Sequence, residues 1–458
     1  MIDTQYISYK DPDARVVEKE GAYYRYIYQS YKEEYDHLMR SGLYLHLVEK
    51  GLIVSHEEVE IDINDPEIYK LLFPQQINFL SYPFEWSFSQ WRKAMLAFLA
   101  INQIALKYGM ILKDATPYNY YLTKGKAVLF DTTSFVFFKE NDLWFAYKQF
   151  CEEFLSPIAL MKFHGQRWAR LYRSHLRGLP LDFVSKQLGC KSWFNLTCLF
   201  HIHLHSRYNN KSASNKRVQK TKTGFSVAKI SHLLTMIQST VKSWESAYQY
   251  NSHWSSYYEK DIESKEYLRD KEKTVKKWLE LTNPKTVIDL GANTGRFSLI
   301  ASKYAEQVVA LEYDDICVDY IEKTIQKESI SNLTALIGDL AEMTPGLGIL
   351  NKELKSLYER GKSEMVLGLA LVHHLCISKN LSILHIVELI ANISSKYAIV
   401  EFIPKEDGKV QLLLQNRKDI FDKYKEDYFV KYLSRYFDIV KEKSLECSKR
   451  KLFLCEKK

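Results

Sequence analysis

The segment Thr286–Gly295 constrains this chain more than any other. Thr286, Val287 and Ile288 are β-branched, as a buried strand favours, and Asp289, Gly291 and Gly295 follow at a spacing that closes a turn. Arg296–Tyr304 then reads as a helix. Strand, glycine-bracketed turn and helix in so short a space specify a βα unit, the building block of parallel sheets. The glycines carry weight because the chain is poor in them. It has 17 in 458 residues, with 10 prolines, against averages of about 7% and 5%. Where glycine is scarce, a cluster marks backbone geometry that other residues resist.

Strand signals recur downstream at Val308–Glu312, Thr334–Ile337, Met365–Leu371, Ala398–Phe402, Phe437–Val440 and Leu452–Cys455, separated for the most part by helical patterns. The expected fold is α/β with a parallel sheet. The last two strands have only a short connection, so the final one should run antiparallel. The turn spacing is G-x-x-x-G, not the G-x-G-x-x-G that cradles a pyrophosphate. Asp289 just before it argues against a phosphate and for a cationic group such as an amino acid's ammonium. Glu312 ends the next strand, where a nucleotide site needs an acceptor for ribose hydroxyls. Asp339 and Leu340 follow the third strand, an acceptor for an adenine amino group and an apolar wall for its ring. Three strands thus deliver Asp289, Glu312 and Asp339 to one edge of the sheet.

This order of motifs resembles the class I S-adenosylmethionine-dependent methyltransferases, over about 283–458. The resemblance implies a Rossmann-like sheet with an antiparallel last strand and S-adenosyl-L-methionine as cofactor. It sets Asp289, Gly291, Ala292 and Gly295 around the methionine moiety, Glu312 on the ribose, Tyr313 beside the adenine, and Asp339 and Leu340 in the base pocket. Asn293 stands where many members carry a middle glycine, and Asn tolerates left-handed geometry. The fourth strand ends in His373 and His374, a pairing similar to that of methyltransferases acting on small hydroxylated molecules. One of them faces the sulfonium as a base for an acceptor hydroxyl. The acid or amide, two prolines and aromatic of base-methylating enzymes are missing there. A small-molecule or glycan acceptor is therefore expected and nucleic acid is disfavoured. Glu401, at the end of the fifth strand, is placed to orient a histidine or bind polar groups of the substrate. Thr344–Gly348 reads as a lid, and Trp254, Tyr257 and Tyr258 as a cap or as core.

The first half reads as α+β. Lys113–Asn119 followed by Asp131 resembles the catalytic loop and metal-binding Asp of kinase and aminoglycoside-phosphotransferase folds. By that resemblance Asp114 is the base, and Asn119 and Asp131 bind metal. A glycine-rich phosphate loop and a strand Lys paired to a helix Glu are absent, so the expectation is a degenerate, kinase-like accessory domain. His201, His203 and His205 share a face only on a strand, and no fourth zinc ligand is near, so no metal is assigned. With its segments at Phe84, Leu112, His201 and Pro345, the two-part chain is similar to bacterial methyltransferases associated with nodulation and glycan modification.

The domain reading is an accessory domain over 1–208, a basic linker over 209–225, a helical lead-in over 226–282 and the methyltransferase domain over 283–458. The linker holds Lys211, Lys216, Arg217, Lys220 and Lys222 without an acid. A net charge of +8 is mild for this length. Seven cysteines without a paired framework, no apolar leader, and no run of roughly 20 apolar residues fit a cytoplasmic protein without a membrane span. Two rival readings remain. One is a non-catalytic, cofactor-binding scaffold with a partner-recruiting first half; the other is an RNA or protein methyltransferase using the linker as a tether.

Overall fold

The computed structural model describes residues 8–60, 65–140, 144–208, 224, 226–244, 264–415 and 417–458. The chain forms two compact units. The first takes in Met1–Leu122, Lys126–Gln249 and Gly348–Glu353, the second Thr123–Gly125, Tyr250–Leu347 and Leu354–Lys458. Of the expected linker over 209–225 all but Gly224, and the aromatics Trp254, Tyr257 and Tyr258, lie outside the described residues.

The first unit begins with β1 (Ala14–Lys19), β2 (Ala22–Tyr28), β3 (His56–Val59) and β4 (Ile68–Pro74), an antiparallel sheet of order β1-β2-β4-β3. Helices α1 (Lys32–Arg40) and α2 (Leu43–Glu49) interrupt it. Helix α3 (Phe88–Ala105) follows, capped by Ser87 and Gln90, and is buried along most of its length. Short strands β5 (Met110–Leu112), β6 (Tyr120–Thr123), β7 (Lys126–Leu129) and β8 (Phe135–Phe137) pair as β5-β8 and β6-β7. Helix α4 (Val227–Ser243), expected to lead into the second half, packs on α3 instead. Its stripe Ile230, Leu234, Ile237 and Val241 is fully buried there, and Thr235 accepts a hydrogen bond from Gln103 at 3.1 Å.

The second unit opens with α5 (Lys265–Thr282), capped by Ser264. The strands β9 (Thr286–Leu290), β10 (Gln307–Glu312), β11 (Leu333–Ile337), β12 (Ser363–Gly368), β13 (Ser394–Phe402), β14 (Phe437–Ser444) and β15 (Lys451–Lys457) form one sheet of order β11-β10-β9-β12-β13-β15-β14. β9 to β13 are parallel, and β15 runs antiparallel to both of its neighbours, as the short final connection requires. Burial is almost continuous along β9 and β10, the mark of a sheet covered on both faces. Val275, Trp278 and Leu279 of α5, Phe297 of α6 (Arg296–Ala301), and Val318, Ile321 and Ile325 of α7 (Asp315–Glu328) close one core over Val287, Val308 and Met365. Helix α8 (Ile383–Ile393) packs on β12 and β13. Among the described residues no helix is long and apolar enough to cross a membrane.

Candidate active site at the sheet's switch point

The strand order reverses between β9 and β12, and ligands of open α/β sheets bind outside the carboxyl ends at such a reversal. A cavity of about 280 Å³ lies there, lined by Gly291 and Asn293 after β9, Leu311–Tyr313 at the end of β10, Gly338–Leu340 after β11, and Leu369–Leu371 with His374, Leu375, Ser378 and Lys379 after β12. The turn after β9 is left-handed at Gly291, Asn293 and Gly295. Asn293 adopts φ 52°, and its Oδ1 accepts the Thr294 N–H at 2.7 Å, which stabilises the conformation expected of a glycine substitute. Gly295 combines φ +81° with a close neighbour, since a Cβ there would lie 2.8 Å from Ile321 Cγ1. A Cβ on Gly338 would lie 2.3 Å from Leu311 Cδ1, so packing alone keeps that position small.

Glu312 lines the cavity and also holds the turn. Its carboxylate accepts the Asn293 N–H at 2.7 Å and the Asp314 N–H at 2.9 Å. Burial pushes its pKa up to about 7 against the pull of those N–H groups. Asp339 accepts the Ala341 N–H at 2.9 Å and pairs with Lys379 Nζ at 2.8 Å. Lys379 also sits 5.1 Å from the centre of the Tyr313 ring. Leu311, Leu340, Leu369 and Leu371 supply apolar walls suited to a purine, and the two carboxylates supply acceptors for hydroxyl and amino groups.

The family described as tellurite resistance protein TehB matches residues 254–346. Nodulation protein NoeA of Rhizobium meliloti (strain 1021) is 29% identical over 423 residues, covering 90% of this chain and 87% of that protein. The second unit is a class I S-adenosylmethionine-dependent methyltransferase domain. Similar solved structures include magnesium protoporphyrin IX methyltransferase from Synechocystis PCC 6803 with bound SAH. It is 19% identical, with a TM-score of 0.32 over 42% of this chain and 84% of that one. N-methyltransferase NodS from Bradyrhizobium japonicum WM9 is 6% identical, with a TM-score of 0.32 over 43% and 99%.

Not every expected residue reaches the cavity of the methyltransferase domain. Asp289, Ala292 and Gly295 do not line it. Asp289 is buried, accepts the Ser298 hydroxyl at 2.6 Å, and has its pKa pushed up to about 6 by burial. The two histidines divide. His374 lines the cavity, and burial together with Arg450 lowers its pKa to about 4. His373 is 1% exposed, and neither of its ring nitrogens has a hydrogen-bond partner among the described residues. The rings lie 4.0 Å apart.

Glu401 departs from expectation. Its carboxylate is fully buried and accepts from Tyr267 at 2.6 Å, Lys271 at 2.6 Å and the Ala370 N–H at 2.8 Å; it bonds to neither histidine. Burial pushes this carboxyl up, and Lys271 and Arg450 more than reverse that, leaving it below its usual range. Arg450 in turn pairs with Asp407 at 2.7 Å and bonds Tyr267 at 3.0 Å. What Glu401 fixes is the turn after β12, where Ala370 holds φ 50°. The expected lid, Thr344–Gly348, also lines none of the cavity; Leu347 pairs with Leu354 across a short bridge.

In the first unit the structure brings together two of the three residues singled out there. Asn119 Nδ2 donates to Asp131 at 3.2 Å. Asp131 also accepts from Thr133 Oγ1 at 2.8 Å and Ser134 Oγ at 2.7 Å, and is ion-paired with Arg25. Lys113 pairs with Asp13 at 2.6 Å. Burial pushes the Asp114 carboxyl up, and the nearby Asp131 adds to the effect. No group of three metal-ligating side chains occurs among the described residues. In the HIHLH segment, His203 bonds Ser185 and Ser192, and His201 bonds Tyr147.

Proposed function

We propose that the enzyme methylates an oxygen of a small-molecule or glycan acceptor, with His374 receiving the proton. The observation that carries this reading is the position of His374 in the cavity wall with a pKa near 4. It is a neutral proton acceptor at pH 7. S-adenosylmethionine supplies an electrophilic methyl group when bound. A C–O bond to that methyl would form as the sulfonium's C–S bond breaks and its electron pair leaves with sulfur as a neutral thioether; the hydroxyl proton would become strongly acidic, so the weakly basic imidazole of His374 would suffice to take it. Glu312 accepts the ribose hydroxyls. Asp339 accepts the adenine amino group, with Tyr313 and Leu340 against the ring. Gly291 and Asn293 admit the methionine end, while Asp289, Ala292 and Gly295 shape the turn that presents them.

The first unit serves as a non-phosphorylating accessory domain, supported by the Arg25 ion pair on Asp131. The seven free cysteines support a cytoplasmic setting.

Labelled S-adenosylmethionine with fractionated host extract tests the acceptor class. Label is expected in the glycan or small-molecule pool, and incorporation into RNA or protein sinks the reading. His374→Ala should cut kcat by about 100-fold with cofactor affinity unchanged. An unaltered kcat and pH profile would remove His374 from the reaction.

A further inference from the structure

The helical segment 196–208 of the first unit is largely apolar on both faces. Inward, Cys198, Ile202 and His203 are buried, with His203 stacked on Trp193 at 4.1 Å between ring centres. Outward, Leu196, Phe200, Leu204 and Tyr208 recur every fourth residue and are 60%, 53%, 39% and 64% exposed. Phe194, just before them, is 89% exposed. Four-residue steps advance a stripe by about 40° per repeat on an α-helix. The π-helical stretch Leu199–Leu204 turns each residue by less and offsets that drift, which keeps the stripe on one face. Soluble proteins seldom leave such a contiguous apolar surface in water without a use for it.

The charge around it is mainly basic, although Asp182 is exposed on the helix Leu181–Gln187 that packs on the segment. The sequence has no Asp or Glu between Asp182 and Glu245. Lys186, Lys191 and Arg207 are exposed beside the stripe or on it, and Arg207 lies 4.8 Å over the Trp193 ring. Helix α4 adds exposed Lys229 and Lys242, and is tied to the segment by a Thr197–Thr240 hydroxyl bond of 3.0 Å.

We propose that this face docks on an anionic lipid bilayer, with Leu196, Phe200 and Leu204 entering the headgroup boundary and the lysines and arginine meeting anionic headgroups. Interfacial helices pair an apolar face with a basic surround in this way, and each supplies part of the attraction. A nucleic acid would satisfy the cations and leave the aliphatic stripe in water. A symmetric second copy would bring two net-basic faces together, which repel.

The test is flotation of the full chain with vesicles of phosphatidylcholine alone, and with about 30% phosphatidylglycerol, at near-physiological salt. Partition onto the anionic vesicles is expected to be at least about tenfold stronger and to weaken as salt rises. A Phe200→Ser, Leu204→Ser double variant should lose at least about fivefold of it. Lys186→Glu with Lys191→Glu should abolish the preference for anionic vesicles. All four side chains are solvent-exposed, so unchanged thermal midpoints are expected to confirm folding. Equal or absent binding to the two vesicle types overturns the proposal. So does a serine variant that leaves vesicle binding intact, or one that only converts a dimer into a monomer. RNA binding with the same salt dependence and no loss in the serine variant also overturns it.

Discussion

Asp131 in the first unit and Glu312 in the second are acids placed just after or at the end of a strand, yet they end in opposite electrostatic states. Asp131 is met by a guanidinium, an amide and two hydroxyls. Burial pushes its carboxyl up, but Arg25 and the hydroxyls more than reverse that, so it titrates below the usual range. Among the described residues Glu312 receives only backbone N–H groups and no cation pairs with it, and burial leaves it near 7 while it faces a cavity. An acid already saturated by its own chain is part of the scaffold. An acid held by backbone alone, in a cavity wall, is poised for donors that arrive with a ligand.

The largest effects should separate the two. Gly291→Arg forces a long side chain onto a left-handed residue in the cavity wall, where its Cβ alone would lie 3.2 Å from Leu371 Cδ1. Calorimetry should then detect no S-adenosylmethionine binding, whereas retained affinity would move the site elsewhere. Arg25→Ala leaves the mostly buried Asp131 with its amide and hydroxyl donors but without its paired cation. Breaking such a pair costs about 3–5 kcal/mol. Denaturant unfolding of the first unit should show that loss, cofactor affinity should not change, and Asp131→Asn in the same chain should restore part of it. If Arg25→Ala instead opens a nucleotide or magnesium site without loss of stability, Asp131 belongs with Glu312 and the contrast fails.

The pH dependence of Glu312 sharpens the contrast. Its folded pKa of about 7 lies above the unfolded value of 4.5. The unfolded chain therefore releases this proton first, and stability present below pH 4.5 declines as pH rises to about 7 and then levels off. The swing is about 3 kcal/mol in ligand-free protein. Glu312→Gln should flatten that part of the stability profile and weaken cofactor binding by about tenfold. A profile identical to the wild type would mean that Glu312 is already ionised at low pH.

What could be read from the sequence follows the same physics. The glycine turn, the β-branched strands and the reversed last strand are local or nearly local consequences of residue type, and the structure carries them all. Glu312 and Glu401 could not be told apart that way, because each closes a strand of the same sheet. Lys271 and Arg450 make the difference, and the Lys271 contact spans 130 residues of sequence. The same limit hid the α3–α4 packing, since an amphipathic helix announces a buried stripe but not its partner. It also left His373 and His374 equivalent, although only the second lines the cavity.

Asp339 is the intermediate case, and the smallest effect tests it. It faces the same cavity as Glu312 but has a cation, Lys379, whose side chain is 39% exposed. Lys379 went unnoticed in the sequence because it lies 40 residues from Asp339, at the end of a π-helical turn (His374–Ser378) that no spacing announced. An exposed pair of this kind is screened by water and adds little. Lys379→Ala should leave stability unchanged and alter cofactor affinity by no more than about fivefold, with a rise expected if Lys379 competes with the adenine amino group for Asp339. A loss on the scale of Glu312→Gln would instead show that Lys379 itself contacts the ligand. Saturation by the chain's own cation would then not be enough, by itself, to tell scaffold from site.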